Sequence, residues 1–293
     1  MERVGFVGFG EAATAFARGL GQGGVRRLVA YEPGRHGPFA AVYARRAAET
    51  GVTLVDRPDA LGEMEVVVSA VTPEQAVAAA RTVAPALGAG QLYVDVNSCT
   101  PGMKQEAARL LEARGVRYVD VGMAGSIKLE GHRIPIYAAG PHAQEFADRF
   151  GPYGFRIRVL GGDVGQAAAV KMIRGVVMKG MEALLVEMLL AAERAGIADV
   201  VLDSVANAYD ATTFREHANM LVTTHAVHAG RRLDEVRMIR DTVRELGVEP
   251  LAIEGVARRF AEDVRHDLKT HFQNEVPAAW ETVLAALRAK DAR

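Results

Sequence analysis

Cysteine is almost missing from this chain. Cys99 stands alone in 293 residues, so an intrachain disulfide framework and a multi-cysteine zinc site are both excluded. That usage fits a reducing cytoplasm. No stretch holds about 18 consecutive apolar residues, so no transmembrane helix is expected. Charge of one sign is not in excess either. Lys and Arg number 35, Asp and Glu 36, for a formal net charge of -1. Such a balance gives no global attraction to nucleic acid or to an anionic membrane. A strand pattern begins at Arg3, with no basic stretch, apolar core and cleavage site ahead of it, so a secretory signal is not expected. Low-complexity tracts and repeats of 20–50 residues are absent too. What remains is an ordinary globular composition, 49% apolar and 24% charged, long enough for two domains.

The first half alternates short β-branched runs with alanine-rich stretches. Strands are expected at residues 4–7, 27–31, 65–70, 92–96, 116–121, 134–139 and 155–160. Helices are expected at 12–20, 38–50 and 74–87, with another opened by Pro101 at a favoured first-turn position. Val66, Val67 and Val68 are consecutive, as in a strand covered on both faces. This alternation predicts a Rossmann-type, doubly wound α/β domain: a parallel sheet with helices on both sides. Beyond Gly161-Gly162-Asp163 the pattern changes. Residues 164–195 read as one long helix, and 197–209, 213–229, 234–246, 250–267 and 277–290 as further helices. The expected division is therefore a dinucleotide-binding domain at 1–163 and an all-helical domain at 164–293.

Gly8-Phe9-Gly10-Glu11-Ala12-Ala13 follows the first strand and opens the first helix. It has the G-x-G-x-x-A form of the dinucleotide fingerprint. Gly8 permits the tight turn, Gly10 leaves room for a pyrophosphate against the backbone, and Ala13 allows close helix–strand packing. The helix N-terminus offers unpaired N–H groups to the phosphates. Glu32 ends the second strand, where a carboxylate holds ribose hydroxyls and repels a 2′-phosphate. NAD is therefore favoured. Arg35 and His36 stand close enough in sequence to receive a phosphate instead, which keeps NADP open.

Three more segments carry a resemblance. They are Val71-Thr72-Pro73 after the strand at 65–70, Val94-Asp95-Val96-Asn97-Ser98 through Pro101, and Gly165 to Lys171 at the start of the long helix. With the glycine loop they resemble the β-hydroxyacid dehydrogenase superfamily, which includes 3-hydroxyisobutyrate and 6-phosphogluconate dehydrogenases. The resemblance is to a branch with a shortened helical C-terminal domain. It implies that Val71, Thr72 and Pro73 pass under the cofactor, that Asn97 lies near the nicotinamide ribose, and that Ser98 faces the substrate. Lys171 is implied as the general acid/base. The family's Ser-Gly-Gly substrate loop appears as Ala124-Gly125-Ser126, which displaces the serine hydroxyl. The family's asparagine four residues after the lysine is Gly175 here, beside Arg174. The substrate is implied to be a small carboxylate, the assembly a homodimer or larger, and the activity NAD(P)-dependent oxidation of a β-hydroxy acid or sugar acid.

At 100° per residue, Lys171, Arg174, Gly175, Met178 and Glu182 share one helix face. Arg174 is a candidate both to depress the Lys171 pKa and to hold a substrate carboxylate. Met178 stands where 6-phosphogluconate dehydrogenases have a proton-donating glutamate. Glu182 lies roughly 16 Å from Lys171 along the axis, and Lys179 about 80° round the helix. Decarboxylation is therefore not expected. Met172, Met181 and Met188 are expected in the core. His217, His225 and His228 lack a carboxylate at ligand spacing, so no metal site is expected. Arg231-Arg232 reads as a solvated pair or as a contact to an acidic substrate. Cys99 has no histidine placed to activate it. Two rival activities fit the same N-terminal domain: an imine reductase, against which Lys171 argues, and a cofactor-binding sensor without turnover.

Overall fold

The computed structural model describes residues 1–291. Its strands are β1 (Arg3–Val7), β2 (Arg27–Tyr31), β3 (Val52–Val55), β4 (Val66–Ser69), β5 (Leu92–Asp95), β6 (Arg117–Met123), β7 (Pro135–Ala139) and β8 (Arg156–Val159). The helices between them are α1 (Glu11–Gln22), α2 (Ala40–Thr50), α3 (Ala76–Val83), α4 (Pro101–Glu112), α5 (Ile127–Glu130) and α6 (Ala143–Phe150). Then come α7 (Gln166–Arg194), α8 (Ala198–Asp210), α9 (Phe214–Glu245), α10 (Leu251–Arg265), α11 (Leu268–His271) and α12 (Trp280–Asp291).

The eight strands form one sheet in the order β3-β2-β1-β4-β5-β6-β7-β8. The pleat sends alternate side chains to opposite faces. Val66 and Val68 of β4 join Phe16, Leu20 and Phe146 of α1 and α6. Val67 joins Val83 of α3 and Leu111 of α4 on the other face. The sheet is therefore a doubly wound Rossmann-type sheet, and its strand order reverses between β1 and β4. In open α/β sheets that reversal leaves a crevice beyond the carboxyl ends of the two strands.

Two expectations need correction. The sheet is not wholly parallel, because β7 runs antiparallel to β6. The connection between them, residues 124–134, contains only short helical turns. A parallel crossover needs a dozen or more residues with a helix to span the face, so this link can only turn back. Nor does the chain break near Gly230. Phe214–Glu245 is a single helix of 32 residues. A glycine in a helix costs only about 1 kcal/mol, and α9 packs on α10, α11 and α12 along its length. A capping box between Thr213 and Glu216 closes its start.

The chain divides into two compact units, Met1–Val176 and the remainder from Val177. The first turns of α7 thus belong with the sheet. Gly122 of β6 explains the fit, since a Cβ there would run into the Ala167 carbonyl oxygen. In the second unit, the buried Glu187 of α7 accepts the Ala252 and Ile253 N–H groups at 2.7 and 3.0 Å, capping α10. None of the described helices is long and apolar enough to cross a membrane.

Candidate active site

Gly8 begins the site. Its φ of +81° suits glycine, and a Cβ would lie 2.6 Å from the Ala70 carbonyl oxygen. The turn therefore presses β1 against the end of β4, and the Gly8 N–H reaches the Tyr31 carbonyl at 2.9 Å. Gly10 differs. Apart from Gly10 and its two chain neighbours, nothing lies within 4 Å of the place its Cβ would take, so that side of the loop is open. Phe9 and Ala13 turn inward and are fully buried.

A cleft of about 870 Å³ opens here, a size that fits a cofactor. Its walls include Gly8, Gly10, Glu11, Ala12, Glu32, Val71, Thr72, Pro73, Asn97, Ser98 and Lys171. Residues from five separate segments, predicted to share a site, therefore line one cavity. Glu32 takes the Phe9 and Gly34 N–H groups at 2.8 Å each, one per carboxylate oxygen. Each oxygen keeps lone-pair capacity for a hydroxyl. Arg35 and His36 are both turned to Asp56, at 3.2 and 2.7 Å. Asn97 ties the two loops together. Its side chain accepts the Val71 N–H at 2.7 Å and donates to Ser69 Oγ at 3.0 Å.

Lys171 Nζ donates to Ser98 Oγ. The lysine pKa is lowered, first by burial and then by the positive charge of Lys104; Arg174 adds to the effect and Cys99 opposes it. The sequence pointed to Arg174 as the depressing cation, but the larger effect comes from Lys104, which local spacing gave no reason to choose. Arg174 itself is exposed. The cleft wall does not include Arg174, Gly175, Gly125 or Ser126; from this region it is Met123, the last residue of β6, and Ile127, the first of α5, that contribute. Gly125 and Ser126 are exposed just ahead of α5.

Beneath Ser98 and Lys171 lies a buried network. Asp95, Lys104 and Asp120 are each no more than 1% exposed. Lys104 Nζ donates to the Asp95 carbonyl at 2.6 Å, to Asp95 Oδ1 at 2.8 Å and to the Val121 carbonyl at 3.3 Å. Asp95 also accepts the Asn97 N–H at 2.9 Å and the Tyr118 hydroxyl at 2.6 Å. Asp120 Oδ2 accepts three N–H groups at the start of α7: Gly165 at 2.9 Å, Ala167 at 2.9 Å and Ala168 at 3.1 Å.

The remaining candidates lie elsewhere. Burial pushes the Cys99 thiol up to about 11, so little thiolate exists at neutral pH, as the sequence implied. His225 does have a carboxylate partner: Asp263, at 2.9 Å, from α10. Its separation of 38 residues hid it from local spacing. His217 packs on Tyr209 with ring centroids 4.5 Å apart. Among the described residues no cluster of three or more His, Cys, Asp or Glu could hold a metal. Met172, Met181 and Met188 are half-buried in this chain rather than in a core.

Residues 3–98 match the NADP oxidoreductase coenzyme F420-dependent family, and residues 192–262 match a domain of unknown function, DUF1932. A conserved hypothetical protein from Sinorhizobium meliloti 1021 is 31% identical, with 99% of this chain and 97% of that one covered and a TM-score of 0.60. A second conserved protein of unknown function, whose structure is similar to 3-hydroxyacid dehydrogenases, is 33% identical; the match covers 94% of this chain and all of that one, with a TM-score of 0.58. An imine reductase from Myxococcus stipitatus shares the fold with a TM-score of 0.76 at 15% identity, over 92% of this chain and 99% of that one. With two relatives above 30% identity over nearly its whole length, and with the glycine loop and lysine cleft in one unit, the chain belongs to the β-hydroxyacid dehydrogenase-like superfamily of NAD(P)-dependent oxidoreductases.

Proposed function

We propose that the protein oxidises a small β-hydroxy acid or sugar acid, or reduces the corresponding keto acid, with NAD favoured over NADP and without decarboxylation. One observation carries this reading: Lys171, bonded to Ser98, lines the same cleft as the glycine loop. The residues fit a dinucleotide. Gly10 leaves space, the N-terminus of α1 faces phosphate, and Glu32 offers a carboxylate to ribose hydroxyls. Bound nicotinamide would supply the hydride acceptor or donor.

The side chains would handle the proton. In oxidation, the neutral Lys171 amine takes the hydroxyl proton while Ser98 Oγ orients the oxygen. In reduction, the Lys171 ammonium returns that proton. A lowered lysine pKa suits both directions, because each needs one protonation state near neutral pH. Ser98, Gly125, Ser126, Arg174 and Gly175 remain the proposed substrate contacts, the last four on a substrate-bound form. A panel of hydroxy acids with NAD and NADP tests the reading. Turnover, with a keto acid as product and no stoichiometric carbon dioxide, supports it. Cofactor binding without turnover across a broad panel would favour a sensor instead.

Cofactor choice follows from Glu32. Arg35 and His36, the basic side chains nearest in sequence, are engaged by Asp56, which supports NAD. Solved imine reductases of the same fold hold NADP+ in one case and NAD+ in a variant, so the fold alone does not choose. Glu32→Ser is expected to narrow the NAD preference by on the order of tenfold, about 1.4 kcal/mol. Titration with both cofactors measures it. Tighter NADP binding by the unchanged protein would overturn the role given to Glu32.

A homodimer or larger assembly is also proposed. Ile173 and Val176 on α7 are 70% and 74% exposed, and Val200 on α8 is 69% exposed. Long helices with uncovered apolar side chains are usually completed by a partner. Molar mass in solution decides the point.

A further inference from the structure

Lys104 has features that α4 alone does not explain. It is a lysine with no exposed surface, and such burial is rare unless every donor is used. Its Nζ donates three hydrogen bonds, two to Asp95 and one to the Val121 carbonyl. It also stands 3.6 Å from Asp120 Oδ1, an oxygen with no hydrogen-bond partner. One ammonium thus serves two buried carboxylates that do different jobs. Asp95 holds the N–H of Asn97, next to Ser98. Asp120 holds the N-terminal N–H groups of α7, one turn before Lys171.

We infer that Lys104 is the positioning residue of the site: by joining Asp95 to Asp120 it fixes the Ser98 loop against the start of α7, so that Lys171 meets Ser98 with a second ammonium behind it. This rests on the acid/base reading of Lys171. The effect of Lys104 on Lys171 is one of charge and of geometry. The charged and titratable groups around Lys171 are Lys104 on α4, Cys99 beside Ser98, and Arg174 on its own helix. Asp95 and Asp120 hold Lys104 in its place. With Lys104 in position, the neutral form of Lys171 is favoured, because a nearby like charge disfavours a second one.

The test uses the cofactor-free protein, so it stands whether or not a substrate is ever found. Trace acetylation with acetic anhydride across a pH series, read by mass spectrometry, follows the neutral fraction of each lysine. Lys171 is expected to label at lower pH than exposed Lys128. In Lys104→Met its profile moves up, and below the midpoint the Lys171-to-Lys128 ratio falls several-fold. Lys104→Arg, which keeps the charge, restores most of the ratio. Lys104→Met leaves two buried carboxylates without a cation. If it does not fold, Lys104→Met with Asp95→Asn replaces it, because that pair keeps the buried net charge; a smaller upward movement is then expected, since Lys104 and not Asp95 is among the charges that act on Lys171. A purely packing role would lower stability and leave the Lys171 profile in place. An unchanged profile in the folded variant, or a wild-type Lys171 that labels with Lys128, overturns the inference.

Discussion

Lys171→Ala is expected to bind NAD and NADH as the parent protein does and to lose turnover by about 10²–10⁴-fold. The lysine lines the cleft from another segment and is bonded to Ser98, so cofactor affinity should not depend on it. Its amine is the base in the cleft wall that stands beside Ser98, and alanine removes the proton acceptor. Stability should change little, because the Lys171–Ser98 bond is partly buried and burial and the Lys104 charge already disfavour the Lys171 ammonium. The pH dependence has a fixed sign. Burial, then Lys104, holds the Lys171 pKa below the ordinary lysine value of 10.5. Oxidation needs the neutral amine, so its rate rises with pH and levels off below that value. Reduction needs the ammonium and falls over the same range. Alanine should erase both limbs. A near-native kcat with the limbs intact would remove Lys171 from the chemistry.

Gly10→Val is expected to leave the fold almost untouched and to weaken dinucleotide binding by on the order of 100-fold, about 2.7 kcal/mol. The backbone at Gly10 is extended, with φ -77° and ψ -163°, a conformation valine adopts freely. Beyond the neighbouring residues of the chain, nothing lies within 4 Å of the added Cβ, so the branch projects into the space that a pyrophosphate would use. Stability should stay within about 0.5 kcal/mol. Gly8→Ala gives the opposite result. There φ is +81° and the Cβ meets the Ala70 carbonyl at 2.6 Å, so folding itself should suffer by about 1–3 kcal/mol. Calorimetry and thermal melts on the two variants separate the effects. Equal binding by Gly10→Val and the parent would show that no phosphate lies against this loop.

Much of this site is local in the sequence. The glycine loop, Glu32, the Val71-Thr72-Pro73 turn and Asn97-Ser98 each follow a strand, and strands in a doubly wound sheet present their carboxyl ends to one crevice. Once the strands are recognised, those residues converge without further information. Lys171 needed the family resemblance, since a lysine on a helix is otherwise a solvated charge. Lys104 was not legible. It sits on an amphipathic helix among Gln105, Glu106 and Arg109, and its burial depends on two carboxylates from β5 and β6. The same limit hid Asp263 from His225. The antiparallel β7 was at the margin of the sequence, because the expected strands leave residues 122–133 between them, and only the run of β6 on to Met123 shortens that link to 124–134. The unbroken α9 was not, because only packing on three other helices carries it through Gly230.

The proposed dinucleotide cleft has Lys171 in its wall, and the most direct test of it is protection of that lysine. Trace acetylation of the wild-type protein is followed by mass spectrometry with and without saturating NADH. The account predicts that NADH slows labelling of Lys171 while exposed Lys128 is unchanged, and that Gly10→Val loses the protection at the same NADH concentration. Unaltered labelling of Lys171 when NADH is bound would contradict it.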